Sequence, residues 1–279
     1  MIFDRDLFEQ KLELSLNPQN PYLDEGSRQF FEAMNYALLS SGGKRLRPQM
    51  VFAAAEAITK DSEKSSVFNL AMPAALSVEY IHSYSLVHDD LPCMDDAYLR
   101  RGKPSVHARF GEACAILVGD ALLTKAFLIL SGALKNAEKQ VAKLAEASGH
   151  QGMVLGQVLD IFAMDEDMSK RQKINALKTG RLMSCATALG GLSMGASAHE
   201  VFLLEEIGQK FGEAYQLKDD LDDENGFFLS LGREDIASRI SSIFKEIDSY
   251  AEGINIFPLK KLFHSIFENF IYSVTHLDW

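Results

Sequence analysis

Four aspartates, Asp89, Asp90, Asp95 and Asp96, fall within eight residues of one another, and Arg100 and Arg101 follow closely behind them. Carboxylates crowded in this way repel. The apolar residues ahead of them (Leu76, Val78, Ile81, Leu86, Val87) lower the dielectric in which they do so, which raises a carboxylate pKa unless cations sit among them. Donors that offer only oxygen suit Mg²⁺. A second cluster, Gln216-Leu217-Lys218-Asp219-Asp220-Leu221-Asp222-Asp223, lies on a stretch with helical periodicity (Ile207, Phe211, Ala214, Tyr215). There Asp219 and Asp223 stand four residues apart, neighbours on one helix face that repel unless a cation lies between them. A single aspartate pair is usually a solvated surface feature, but two such clusters on separate helices are much harder to produce by chance.

Cations gather elsewhere. Gly42-Gly43-Lys44-Arg45-Leu46-Arg47-Pro48 sets three of them after a glycine pair that lets the backbone approach a ligand. Arginine offers phosphate a planar fork and lysine a point charge. As a plain helix start this would be an unfavourable place for positive charge. Acidic walls with separate basic islands, the second at Arg100-Arg101, imply two phosphorylated substrates, one held through Mg²⁺ and one held directly.

The elements that must position these groups read as helices throughout. Apolar residues recur at helical spacing (Phe30, Met34, Leu38; Val51, Ala54, Ala55, Ile58; Val78, Ile81, Tyr84), and sustained alternation of the strand type is absent. In a straight helix Asp89 and Asp95 would point about 240° apart. Pro92 is expected to break or kink the helix and turn both pairs toward one cavity. The N-terminal stretch, acidic where a secretory signal is basic, reads as an amphipathic first helix and no targeting peptide. The apolar run over residues 113–134 has the length of a bilayer span, but Asp120 and Lys125 inside it are costly in lipid, so a buried core helix is expected.

Composition agrees with a globular protein. The 279 residues are 47% hydrophobic and 24% charged, and 39 acidic against 28 basic side chains give a net charge of −11. That sign argues against nucleic acid as a partner, since phosphate-backbone binding rests on lysine and arginine. Cys93, Cys114 and Cys185 are too few and scattered for a disulfide framework or a zinc site, which fits a reducing cytosol. With no shift in composition along the chain, the expectation is an all-α protein: one domain over residues 1–279, a bundle of about ten helices around a central cavity, cytoplasmic, with no membrane span.

The order of these motifs resembles the trans-isoprenyl diphosphate synthases, most closely the bacterial farnesyl diphosphate synthases. GGKRLRP, HDDLPCMDD with LRRGKPSVH, GQVLD (Gly156 to Asp160), LKTG (Leu177 to Gly180) and FGEAYQLKDD carry the resemblance over most of the chain. It implies Mg²⁺ ligands at Asp89 and Asp95, facing Asp219 with Asp220 or Asp223. Asp89, Asp90, Asp95, Arg100 and Lys178 are then the catalytic set. Lys44, Arg47, His82 and Arg101 would bind isopentenyl diphosphate, and Arg100, Lys178, Thr179 and Gln216 the allylic diphosphate. The implied reaction is ionisation of the allylic diphosphate, attack by the double bond of isopentenyl diphosphate, and proton loss, performed by a homodimer. Tyr84 lies about 220° back from Asp89 and less than two turns down the helix. There, with Ser85 beside it, an aromatic floor is typical of farnesyl producers in the resembling family.

The chain departs from that pattern after the second cluster. The family's Gly- and Lys-rich loop is missing: Asp223-Glu224-Asn225-Gly226 runs straight into Phe227-Phe228-Leu229-Ser230, and Asp222 replaces an apolar residue, with Lys218 placed to offset it. Removing one cation that stabilises a developing charge commonly costs on the order of 3 kcal/mol. A slow but genuine enzyme, a paralogue with altered substrates or product length, and a sequence from which a loop has been dropped all fit this departure. A terpene cyclase or head-to-head synthase is opposed by Lys44, Arg47 and His82, which it does not need. A non-catalytic partner that binds prenyl diphosphates is favoured by the short loop and opposed by both carboxylate walls.

Overall fold

A computed structural model describes residues 3–16, 24–39, 43–163, 168–222, 231–250 and 254–274. Among them the chain forms thirteen α-helices and one short hairpin. The opening helices are α1 (Arg5–Leu16), α2 (Glu25–Leu39), α3 (Leu46–Ile58) and α4 (Val67–Asp89). In α1 the buried Phe8, Leu12 and Leu16 recur every four residues, the amphipathic stripe expected. α4 carries Pro73 in its interior, and the Ser77 hydroxyl bridges the Pro73 carbonyl (2.7 Å) to that of Ala126 (2.9 Å) on a neighbouring helix.

The hairpin follows, β1 (Leu99–Arg100) paired antiparallel with β2 (Lys103–Pro104). Its two-residue turn has positive φ at both Arg101 (52°) and Gly102 (76°), the combination that matches the right-handed strand twist. Tyr36 on α2 fastens the hairpin by donating to the Pro104 carbonyl at 2.8 Å.

Next come α5 (Val106–Phe110), α6 (Glu112–Ser131), α7 (Ala137–Ser148), α8 (Met153–Ile161) and α9 (Met168–Asn175). A single π-helical turn, Ala176–Gly180, joins α9 to α10 (Arg181–Met194), and α11 (Ala198–Asp222), α12 (Arg233–Ser249) and α13 (Phe257–Val274) complete the order. Every residue of α10 from Leu182 to Met194 is buried, so it is the central helix, packed by α3, α4 and α11. One contiguous apolar cluster runs from Phe8 to Phe267.

Of the break or kink expected at Pro92 the break is what forms, and no helix is kinked there: α4 ends at Asp89, three residues before the proline, and the chain folds back through hydrogen bonds from Asp95 N to Asp89 O (2.9 Å), Asp96 N to Leu91 O (3.1 Å) and Ala97 N to Asp90 O (3.1 Å). One expectation needs correction: α6 is not a buried core helix. Val118, Leu122, Ala126 and Leu130 face inward, but Ile116, Leu117 and Leu128 stay exposed. The helix is long and apolar enough to cross a membrane by length and composition alone, yet its inner face packs on α4.

Candidate active site

The end of α4 and the loop after it bring three of the four first-cluster aspartates into different environments. Asp89 is buried, Asp90 is almost wholly buried and Asp95 is exposed. Asp90 is taken by Arg100: the guanidinium forks onto its carboxylate through Nε (3.0 Å) and Nη2, which raises the arginine's pKa against the opposing effect of burial. Asp89 is left to the cluster. Burial pushes its carboxyl up to about 6, with Asp95 and Asp90 adding to the rise while Lys178 and Arg100 oppose it.

Gln157 on α8 donates to Asp89 Oδ1, and Asp160, one turn on, accepts from Lys178 Nζ at 2.7 Å. Lys178 and Thr179 ride on the π-helical turn, a deformation common at functional sites. α8 reaches that turn only because residue 156 is glycine, since a Cβ there would stand 2.5 Å from the Lys178 backbone nitrogen. The Thr179 hydroxyl meets Gln216 Oε1 at 3.5 Å, and Gln216 Nε2 donates to the buried Asp220 at 2.9 Å.

Asp219 is half-buried, next to Asp220 on α11, and its charge reaches Arg47 and Tyr215. Asp223 and the run to Ser230, including the shortened loop, lie outside the described residues. Lys218 does offset Asp222, through an ion pair one turn apart.

The basic island splits into separate tasks. Lys44 is exposed, Arg47 is half-buried, and Arg45 is turned inward on Glu9 and Glu79. Burial lowers the Arg47 pKa, with Arg101 adding to the effect and Glu79, Tyr215 and Asp219 opposing it. Arg47 Nε is buried with no hydrogen-bond partner, an orphaned donor that a bound anion would satisfy. Arg101 stands beside it electrostatically and presses on Gly43, where a Cβ would come within 2.9 Å of Nη1. The half-buried His82 is held neutral, its pKa pushed well below the usual range by burial and then by Arg47, Arg101, Arg100 and Arg45.

Below Asp89, Tyr84 is buried and packs edge-on against His88 with ring centroids 5.9 Å apart, while Ser85 is half-buried and donates to the His82 carbonyl at 2.9 Å. Burial and then the Asp89 charge push the Tyr84 hydroxyl up to about 12.

Among the described residues, no three acidic, His or Cys side chains gather closely enough to close on one ion. Mg²⁺ is normally held by one or two carboxylates, with substrate phosphates and waters completing the octahedron. The donor set of Asp89, Asp95 and Asp219 is all hard oxygen, and the strained ionisation of Asp89 is what a divalent cation relieves. Sequence reasoning missed Gln157, Asp160, Glu79 and Tyr215 as members of this site. GQVLD was visible as a motif, with Gln157 and Asp160 on one helix face, but nothing local says which side chains they meet.

This helical frame is that of the isoprenoid synthases. The structure superposes on a farnesyl/geranylfarnesyl diphosphate synthase of Zymomonas mobilis with a TM-score of 0.82 at 33% identity, covering 94% of this chain and 96% of that one. On a geranyltransferase of Helicobacter pylori complexed with magnesium and isoprenyl diphosphate, the TM-score is 0.80 at 29% identity, with 94% and 95% covered. Residues 28–244 match the polyprenyl synthetase family, and the chain belongs to it. A farnesyl diphosphate synthase of Micrococcus luteus is 37% identical, the match spanning 84% of this chain and 78% of that protein. A chloroplastic geranylgeranyl pyrophosphate synthase of Arabidopsis thaliana is 38% identical, with 84% of this chain and 64% of the plant protein matched.

Proposed function

We propose that this chain is a Mg²⁺-dependent prenyltransferase that condenses isopentenyl diphosphate with dimethylallyl and then geranyl diphosphate, releasing farnesyl diphosphate and diphosphate. The observation that carries the reading is the orphaned, buried Arg47 Nε, which shares its electrostatic surroundings with Asp219. A donor built for an anion thus stands beside an acidic wall suited to a metal-borne one. Asp89, Asp95 and Asp219, with Asp223, would hold Mg²⁺, which supplies Lewis-acid withdrawal of charge from the leaving diphosphate.

The chain's own groups do the rest. Lys178 and Arg100 face the allylic diphosphate and complement the charge that develops as its C–O bond breaks. Asp90 sets the angle of Arg100 through two of that residue's three nitrogens. Lys44, Arg47 and Arg101 hold isopentenyl diphosphate, and His82 serves as a neutral hydrogen-bonding group. The apolar wall below Asp89 keeps water from the cation. Tyr84, buried there, supports a floor that stops growth at farnesyl. The relatives include geranylgeranyl diphosphate synthases, so a longer product is the competing reading.

The working form we propose is a cytoplasmic homodimer of one polyprenyl synthase domain over residues 1–279. Support for the dimer is the groove of about 690 Å³ lined by Phe30, Phe31 and Met34 of α2 and Leu117, Ala121 and Leu128 of α6.

Incubating the protein with isopentenyl diphosphate and either dimethylallyl or geranyl diphosphate, with and without Mg²⁺, tests the activity through chromatography of the dephosphorylated products. Farnesol that requires Mg²⁺ is the expected result. Geranylgeraniol as the main product would replace the assigned chain length, and no product from either primer would overturn the activity.

A further inference from the structure

The middle arginine of Lys44-Arg45-Leu46-Arg47 behaves unlike its neighbours. Its backbone takes the left-handed conformation (φ 53°, ψ 38°), which a residue with a Cβ adopts only when its surroundings impose it. It stands at the N-cap of α3 yet caps nothing with its side chain, which is buried.

Three elements hold it there. Nε and Nη2 fork onto Glu9 of α1 at 2.8 and 2.9 Å, Nη1 meets Glu79 of α4 at 2.5 Å, and Nη2 also donates to the Leu38 carbonyl of α2 at 2.8 Å. The pKa of Arg45 is raised because these carboxylates outweigh the burial that opposes its charge. A fork of this kind fixes direction as well as charge, and lysine cannot reproduce it.

The charges around it make this consequential. Lys44, Arg45, Arg47 and Arg101 are four cations, and Glu9 and Glu79 are the two carboxylates that Arg45 engages. Glu79 lies near enough to Arg47 and Arg101 to oppose the lowering of both their pKa values. Without Arg45 as its partner, Glu79 is the group toward which Arg47 would swing. With Arg45 in place, Arg47 keeps its buried Nε unpartnered.

We infer that Arg45, gripped by Glu9 and Glu79, is a positioning residue for the isopentenyl diphosphate half-site: it occupies the carboxylates that would otherwise draw in Arg47 and turns Lys44 and Arg47 outward to the diphosphate. This rests on the assignment of that half-site under the proposed function. The allylic half-site, built on Lys178, Thr179, Gln216 and Arg100, uses none of these contacts.

Steady-state kinetics of Arg45→Lys and Glu9→Gln against both substrates test it, alongside thermal denaturation and calorimetric titration with isopentenyl diphosphate alone. Arg45→Lys is expected to raise KM for isopentenyl diphosphate about tenfold, with kcat and the allylic KM within about twofold, because the fork is lost but the charge stays. Glu9→Gln keeps the Glu79 contact and one neutral acceptor, and should shift the same KM about threefold. Equal losses on both substrates, or a lowered Tm with KM for isopentenyl diphosphate unchanged, would show that the network only holds the fold and overturn the inference. Should Arg45→Lys not fold, Glu9→Gln, whose side chain is about one-third exposed, decides by the same criteria. A wild-type protein without turnover defeats the proposed function instead, and the titration then judges Arg45 on binding alone: weaker binding in the variants supports its role, and unchanged binding overturns it.

Discussion

At the scale of single residues the site is a set of charges made uncomfortable on purpose of binding. Asp89 is the clearest, its carboxyl raised from 3.8 to about 6 by burial and then by Asp95 and Asp90. A raised folded-state pKa means the folded chain binds that proton more tightly than the unfolded one. Stability from this group is therefore highest at low pH, falls as pH rises from about 4 to about 6, and stays at its lowest above that. Asp89→Asn removes the penalty while leaving an acceptor for Gln157. In protein stripped of divalent ions it should raise Tm by a few degrees at pH 8, equivalent to on the order of 1–3 kcal/mol, and by roughly half as much at pH 5. Differential scanning calorimetry at the two pH values checks this, and an equal Tm change at both would refute it. The same variant should lose the Mg²⁺-dependent activity. That Asp89, Asp90, Asp95 and Asp96 crowd together was readable from the sequence. That Asp90 serves Arg100 was not, because its neighbours in sequence do not reveal which carboxylate turns toward the hairpin.

Helices and turns decide how those residues meet. The four described non-glycine residues with positive φ are Arg45, Asp96, Arg101 and Asn136, and three of them lie in the two segments that carry the charged motifs. Strain of this sort persists only where surrounding contacts over-determine it. α8 joins two elements of the site, bringing Gln157 to Asp89 of α4 and Asp160 to Lys178 of the π-helical turn. Gly156→Ala would place a Cβ against the backbone at Lys178, which cannot rotate aside as a side chain can. The two elements must then separate, and the expected results are a stability loss of about 1–3 kcal/mol and a kcat/KM at least about tenfold lower. Denaturant unfolding together with kinetics reads both, and unchanged kcat/KM would show that the α8 contact does not matter to the site. The helical period announced nearly every element here. It could not announce the π turn or where α4 stops, since both depend on hydrogen bonds between residues whose order alone does not fix their geometry.

For the whole molecule the open question is what covers α6. Its inner residues bury against α4, and its outer Leu117 and Leu128 are exposed next to Phe30 and Phe31 of α2. If a second copy covers this face, Leu128→Glu places a charge in an apolar interface and should convert the particle from dimer to monomer in sedimentation velocity, while helix content by circular dichroism stays unchanged. A wild-type protein that sediments as a monomer would remove the dimer from the proposal. The sequence by itself determined the all-helical class and the family, because helical periodicity and the order of charged motifs are legible along the chain. The tertiary structure alone decided that Arg45 and Asp90 act on other side chains, that Gln157 and Asp160 join the site from α8, and that one face of α6 is left uncovered. Each of those depends on which element lies opposite, and a hydrogen bond or a buried charge is satisfied by proximity in space, which neighbours along the chain do not specify.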